Sequence, residues 1–326
     1  MRAIRCAVFG AGHFGRYHAQ KYAALPGVEL VAVVDPDPAR ARALAAEVGT
    51  SAATSIDEVA GSIEAASVAV PTHAHHDVAT RLLEAGIHVL IEKPIAETIE
   101  QADALVALAA ARGRILQVGH LQRFLLRRMQ VAERVFRPLY IEATRIAPFK
   151  PRGTDVGVVL DLMIHDIDLI LALVQSPVLA VDAVGAPVVT TSEDLVNARL
   201  RFANGCVATA TASRIGFKTE RRLRIFQPES YISIDLAERR MVEIHRGEGP
   251  GIVPGLPGIA RHEATWADGD DLLAEIADFV DCVREGRQPL VTGADGRRAL
   301  ETAMRVTESL SRSLAAAGFP GLPGQG

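Results

Sequence analysis

The chain has 326 residues, 49% hydrophobic, 23% charged and 5% aromatic, with a net charge of −4. That length suits two domains, and that composition excludes a disordered or fibrous chain. No basic excess points to nucleic acid as a partner. Cys6, Cys206 and Cys282 stand far apart and form no Cys-x-x-Cys, so neither a zinc site nor a disulfide framework is expected, and a reducing cytoplasm fits. Met1-Arg2-Ala3 enters an apolar run at once, and no run is long enough to span a bilayer, so neither a signal segment nor a membrane partner is expected.

Residues 4–9 read as a strand, followed by Gly10-Ala11-Gly12-His13-Phe14-Gly15 and a helix over residues 13–25. Gly10, Gly12 and Gly15 have the G-x-G-x-x-G spacing. The first permits a tight turn, the second lets backbone approach a pyrophosphate, and the third lets the helix pack close to the strand. N–H groups at the helix start, around His13 and Phe14, would face the phosphates. A second apolar run, 29–34, ends at Asp35. A carboxylate there accepts hydrogen bonds from an adenosine ribose and repels a 2′-phosphate. Pro36, Asp37 and Pro38 follow, with no arginine at once, so NAD is expected over NADP.

Helices are expected over 38–48, from 57, from 72 or 73 to Gly86, and over 98–112, with strands at 51–54, 65–70, 87–91 and 114–118. This alternation predicts an α/β domain with a doubly wound parallel sheet, which binds ligands at the carboxyl ends of its strands. The rule singles out the glycine turn, Asp35, Pro71-Thr72-His73-Ala74-His75-His76, Glu92-Lys93-Pro94 and Gly119-His120. A lysine at such an edge can hold a substrate oxygen and stabilise negative charge, or relay a proton if burial lowers its pKa. An ordinary surface lysine is the alternative. The three histidines suggest metal ligation, but no cysteine or carboxylate completes a set nearby, so no metal is expected.

Gly10 to Gly15, Pro71-Thr72-His73-Ala74-His75 and Gly86-Ile87-His88-Val89-Leu90-Ile91-Glu92-Lys93-Pro94 resemble, in order and spacing, the Gfo/Idh/MocA oxidoreductases. The resemblance implies an NAD(P)-binding Rossmann domain followed by an α+β domain with a large, mostly antiparallel open sheet; the change of rhythm sets these at residues 1–120 and 121–318, and 319–326 reads as a flexible tail. It implies that Lys93 contacts the reacting oxygen, that the Lys93–Pro94 bond is often cis, and that Pro71, Thr72 and His75 line the nicotinamide side. It also implies a homodimer or homotetramer through the exposed face of the second sheet.

Beyond residue 121 the rhythm changes to strands, at 139–146, 179–184, 196–202, 206–213, 222–226, 231–235 and 241–245, with Ala203-Asn204-Gly205 as a hairpin turn. Residues 247–258 read as a Gly/Pro-rich loop, and 270–285 and 294–314 as amphipathic helices. Residues 158–171 read as a helix that is apolar almost all round, yet Asp161, His165 and Asp168 fall at i, i+4 and i+7. Burying such a stripe is costly unless the groups are paired or face a wet cavity. It is either a site wall or a structural His–Asp pair. The family carries an Asp-x-x-x-His pair on a helix facing the nicotinamide, which Asp161 and His165 match. The preceding turn departs, with Gly157 alone where relatives often have two or three glycines.

The implied reaction is hydride transfer from a secondary alcohol. His165 would take the hydroxyl proton, Asp161 would support it, and Lys93 would hold the oxygen. The stretch from Arg145 to Asp168, with Val118-Gly119-His120-Leu121-Gln122-Arg123-Phe124, is similar to a bacterial subgroup that includes UDP-N-acetylglucosamine 3-dehydrogenases, which serve lipid A precursor synthesis. Arg145, Lys150 and Arg152 are cations suited to a diphosphate, or else a solvated basic loop. Arg123 and Asp168 are further substrate candidates. A dehydrogenase of a free polyol such as inositol and a non-catalytic NAD-binding regulator of the same fold are the alternatives.

Overall fold

The computed structural model describes residues 2–149, 157–250 and 257–319. The chain forms two compact units, one of residues 1–124 with 270–300, the other of 125–269 with 301–326. The first unit therefore extends past the expected boundary at 120 and takes back a segment assigned to the second domain. Sequence could show that residues 270–285 have an apolar face, but not which core that face covers.

Unit 1 holds a six-stranded parallel sheet in the order β3-β2-β1-β4-β5-β6. Its strands are β1 (Ile4–Phe9), β2 (Val28–Val34), β3 (Ser51–Ala53), β4 (Ala65–Val68), β5 (His88–Glu92) and β6 (Leu116–Gly119). The helices are α1 (His13–Ala24), α2 (Pro38–Val48), α3 (His75–Glu84), α4 (Ile99–Arg112) and α7 (Asp271–Glu285). Most lie within a residue or two of the sequence reading because side chains mark their ends. Asp37 caps α2, Thr98 and Gln101 form a capping box on α4, and Asp270 caps α7. The core joins Cys6, Val8, Tyr22, Val33, Ala65 and Leu90 to Ile276, Phe279 and Val280 of α7. The strand order reverses between β1 and β4, which is where such a sheet opens a ligand crevice.

Unit 2 has β7 (Tyr140–Ile146), β8 (Val178–Ala186), β9 (Leu195–Phe202), β10 (Val207–Ser213), β11 (Glu220–Gln227), β12 (Ser230–Asp235), β13 (Arg240–Pro250) and β14 (Pro257–Thr265). The eight form one sheet in the order β14-β13-β12-β11-β7-β10-β9-β8, antiparallel except for the β7–β10 pair. Central strands β7 and β10 alternate buried and half-buried residues, and α6 (Ile164–Val174) packs on their buried face. The expected loop at 247–258 is corrected in part. β13 and β14 pair there, His245 with Ala260 and Gly247 with Gly258, and 251–256 lie outside the described residues. β14 is a largely exposed edge strand, so its sequence lacks apolar alternation. A short helix, α5 (Gln122–Arg128), was likewise without a sequence signal, and α8 (Gly293–Ala316) closes the described chain. Among the described residues no helix is long and apolar enough to cross a membrane.

Candidate active site

The glycine turn lies between β1 and α1. Gly10 has φ +101°, and a Cβ there would meet the Ala69 carbonyl oxygen at 2.5 Å. A Cβ on Gly15 would come within 1.7 Å of the Gly10 oxygen, whereas one on Gly12 would meet nothing within 4 Å. Gly10 and Gly15 thus shape the turn, and Gly12 leaves space beside it. The start of α1 has no side-chain cap and no acidic residue in its first turn, so its N–H groups and positive dipole end are left for another anion. His13 and Phe14 are exposed there. This cradle fits a dinucleotide pyrophosphate.

Asp35 follows β2 and is 4% exposed. Its Oδ2 accepts the Ala11 N–H at 2.8 Å and its Oδ1 the Asp37 N–H at 2.9 Å, so the carboxylate is tied to the turn. Arg40, from the first turn of α2, lies 3.4 Å from the same Oδ1 and 3.3 Å from Asp37. Sequence reasoning stopped at Pro38 and missed this arginine; one turn of helix brings it back.

At the ends of β4 and β5, Pro71 and Thr72 open a 3₁₀ turn before α3. His75 is buried, with Nδ1 2.8 Å from the Pro94 oxygen and Nε2 2.9 Å from the Val70 oxygen. Burial pushes its pKa down, against the pull of the two carbonyls. Its ring ties the turn after β4 to the turn after β5 through backbone carbonyls. The Lys93–Pro94 bond is cis, as the family resemblance implied. Lys93 is half-buried, and its N–H donates to Glu92 Oε2 at 3.3 Å.

In unit 2, Asp161 lies in a π-helical turn, Val159–Met163, that leads into α6. The Ile164 N–H reaches the Val159 oxygen, five residues back. Such turns recur at functional sites because they re-aim side chains out of the regular α spacing. Asp161 and His165 are half-buried, while Asp168 is 1% exposed. The lone Gly157 has a steric reason: a Cβ there would fall 2.2 Å from Glu193 Oε1. The Glu193 carboxylate accepts the Val159 N–H at the start of the π turn, and burial pushes its pKa up. Nothing in the spacing of Glu193, over thirty residues downstream, announced this role.

Residues 4–120 match the model of an oxidoreductase family with an NAD-binding Rossmann fold, and residues 134–232 match the GFO/IDH/MocA C-terminal domain. The chain belongs to the GFO/IDH/MocA oxidoreductase family. It is 40% identical over 304 residues to a UDP-N-acetylglucosamine 3-dehydrogenase of Acidithiobacillus ferrooxidans, covering 93% of this chain and 96% of that one. A solved structure of that enzyme superposes with a TM-score of 0.88 over 95% of this chain and 98% of the other, at 40% identity. A scyllo-inositol 2-dehydrogenase (NAD(+)) of Bacillus subtilis is 28% identical, covering 95% of each chain. A scyllo-inositol dehydrogenase of Lactobacillus casei, solved with NAD(H) and scyllo-inositol, shares the fold at 20% identity, with a TM-score of 0.78 and 96% and 98% of the two chains covered.

Within this GFO/IDH/MocA frame the expected substrate cations separate. Lys150 and Arg152 lie outside the described residues. Arg145 is not a solvated loop cation. It sits on the helix-covered face of β7, with Nε and one terminal nitrogen each 2.8 Å from Asp166 of α6 and both side chains 4% exposed. Such a bidentate, buried pair locks helix to sheet, and Asp166, one residue beyond His165, is the partner that sequence reasoning passed over. Arg123 lies 3.8 Å from Asp295 of α8, with 12% of its side chain exposed.

Proposed function

We propose that this family member is an NAD-dependent sugar-nucleotide dehydrogenase, with UDP-N-acetylglucosamine oxidised to its 3-keto form as the best-supported reaction. The observation that carries the reading is the near end-to-end match, at 40% identity, to the Acidithiobacillus ferrooxidans enzyme. Asp35 favours NAD, since a fixed carboxylate beside the turn repels a 2′-phosphate, and Arg40 is engaged by Asp35 and Asp37. NAD, when bound, supplies the hydride acceptor. Lys93 holds the reacting oxygen and stabilises its developing negative charge. His165 takes the hydroxyl proton, and Asp161 supports the imidazole. Pro71, Thr72, Glu92 and Pro94 shape the nicotinamide side together with His75. Arg145 acts through Asp166 on the helix that carries His165, and Asp168 supports that helix from within. A homodimer or homotetramer through the sheet of unit 2, in the cytoplasm, completes the reading.

The test is formation of NADH, followed in the near ultraviolet, with UDP-N-acetylglucosamine and a carbonyl trap. Turnover with the sugar nucleotide, absent with free N-acetylglucosamine and with inositol, is the expected result. Turnover with inositol alone reassigns the substrate to a free polyol. NAD binding without turnover across sugar nucleotides and polyols favours a regulator. Greater efficiency with NADP removes the role given to Asp35.

A further inference from the structure

A chain of polar groups runs through the apolar interior of unit 1. Tyr22 Oη lies 2.9 Å from Ser67 Oγ, Ser67 Oγ lies 3.0 Å from His18 Nδ1, and His18 Nε2 lies 2.8 Å from Glu92 Oε1. One direction of donation satisfies every member: Tyr22 to Ser67, Ser67 to His18, and His18 through Nε2 to Glu92. Glu92 then accepts at both oxygens, from His18 and from the Lys93 N–H, as an ionised carboxylate does. Burial pushes the Glu92 pKa up, but the hydrogen bond from His18 and the nearby positive charge of Lys93 bring it below the ordinary range.

Against this set lies Glu275 of α7, fully buried, with neither carboxyl oxygen hydrogen-bonded among the described residues. One ligand-capable atom each from His18, Glu92 and Glu275 lies within 4.8 Å of the others. The facing groups are His18 and Tyr22 from α1, Glu92 and Lys93 from the end of β5, and Asp271 and Asp278 within α7. Burial first, then the negative charges of Glu92, Asp278 and Asp271, push the Glu275 pKa well up. A second bare carboxylate so near Glu92 would have no donor, and like charges at this range do not both ionise. Gln117, whose amide donates to the Glu275 carbonyl at 3.1 Å, has a buried Oε1 that also lacks a hydrogen bond among the described residues. A proton on Glu275 provides the donor that this pocket of acceptors lacks.

We infer that Glu275 is a positioning residue: a neutral carboxylic acid that keeps Glu92 the sole anion of the set, seated between His18 and the Lys93 backbone. The inference rests on the proposed role of Lys93. A metal ion would have to part the 2.8 Å His18–Glu92 hydrogen bond to bind both atoms, so the protonated acid fits the contacts as they stand.

Two measurements on the full-length protein test this without turnover. In the infrared at neutral pH, the C=O stretch of a protonated carboxyl is expected in the wild type and absent in Glu275→Gln. Retention of the band in that variant overturns the inference. So does one tightly held metal ion per chain whose removal by a chelator lowers Tm. The chain has four lysines, Lys21, Lys93, Lys150 and Lys218, so ¹³C-methylated lysine resonances can be assigned one by one. The Lys93 signal should shift in Glu92→Gln and Glu275→Leu but stay in place in the near-isosteric Glu275→Gln. An unmoved signal in Glu92→Gln and Glu275→Leu overturns the positioning role. With a confirmed substrate, Glu275→Leu should lower kcat about tenfold while the Kd for NAD stays within about twofold, since misplacing a catalytic group reduces rate more than cofactor binding. Absence of turnover in the wild type counts against the proposed function, not against the proton on Glu275.

Discussion

The two units set out their candidate site groups by opposite means. In unit 1 backbone does the work: side chains cap α2, α4 and α7, whereas α1, behind the glycine turn, and α3, behind Pro71, start without a side-chain cap. In unit 2 side chains do it. A helix apolar on most faces carries Asp161 and His165, its π turn is held by Glu193, and its buried face is pinned by Arg145 to Asp166. A backbone site is specified by what is missing, a Cβ or a cap. A side-chain site is specified by partners distant in sequence.

The sharpest way to break the comparison is to remove its chemical groups. Lys93→Ala and His165→Asn should each lower kcat by about 10²–10⁴-fold with the fold intact by circular dichroism, as expected for a lost acid–base or oxyanion group. Near-normal turnover in either variant removes that residue from the mechanism. Next comes the scaffold of unit 2. Arg145→Leu leaves Asp166 buried without its guanidinium partner and should destabilise by about 3–5 kcal/mol, read from urea unfolding. The backbone unit is sharpened by two substitutions of one methyl each. Gly15→Ala should destabilise by about 1–3 kcal/mol, because its Cβ overlaps the Gly10 oxygen. Gly12→Ala should unfold like the wild type, because its Cβ is met by nothing, yet weaken NAD binding in fluorescence titration. Equal losses of stability would end the distinction drawn between the two glycines.

The smallest effect is a pH dependence in unit 1. Burial first, and then the Arg114 charge, lower the His88 pKa to about 4, and its Nδ1 accepts the Ile115 N–H at 2.9 Å. The unfolded histidine titrates near its ordinary value, so between there and about 4 the unfolded chain binds the extra proton. Stability should therefore fall as pH drops through that window, and His88→Asn should flatten the slope in urea melts at stepped pH.

How much was legible in the sequence follows the same division. The glycine spacing, Asp35 and Lys93 could be read because each follows a strand whose apolar run is local. The helix starts expected at 98 and 270 hold because Thr98 and Asp270 cap their own helices locally. Asp161 and His165 were legible as polar residues in an apolar helix, but the π turn was not, since its cause lies at Gly157 and Glu193. Arg145 was read from its charge alone, and charge does not report that Asp166 lies opposite. Glu275 looked like one polar position of an amphipathic helix; its burial beside Glu92 comes from tertiary packing.

The interrupted course of unit 1 bears on how the protein is made. Its core includes Ile276, Phe279 and Val280, which leave the ribosome long after the sheet strands they cover. The nascent chain thus carries an apolar Rossmann face through the synthesis of all eight strands of the other sheet. A fragment ending at residue 124 keeps that face open permanently, so the tidy split suggested by strand rhythm is a poor place to cut the gene.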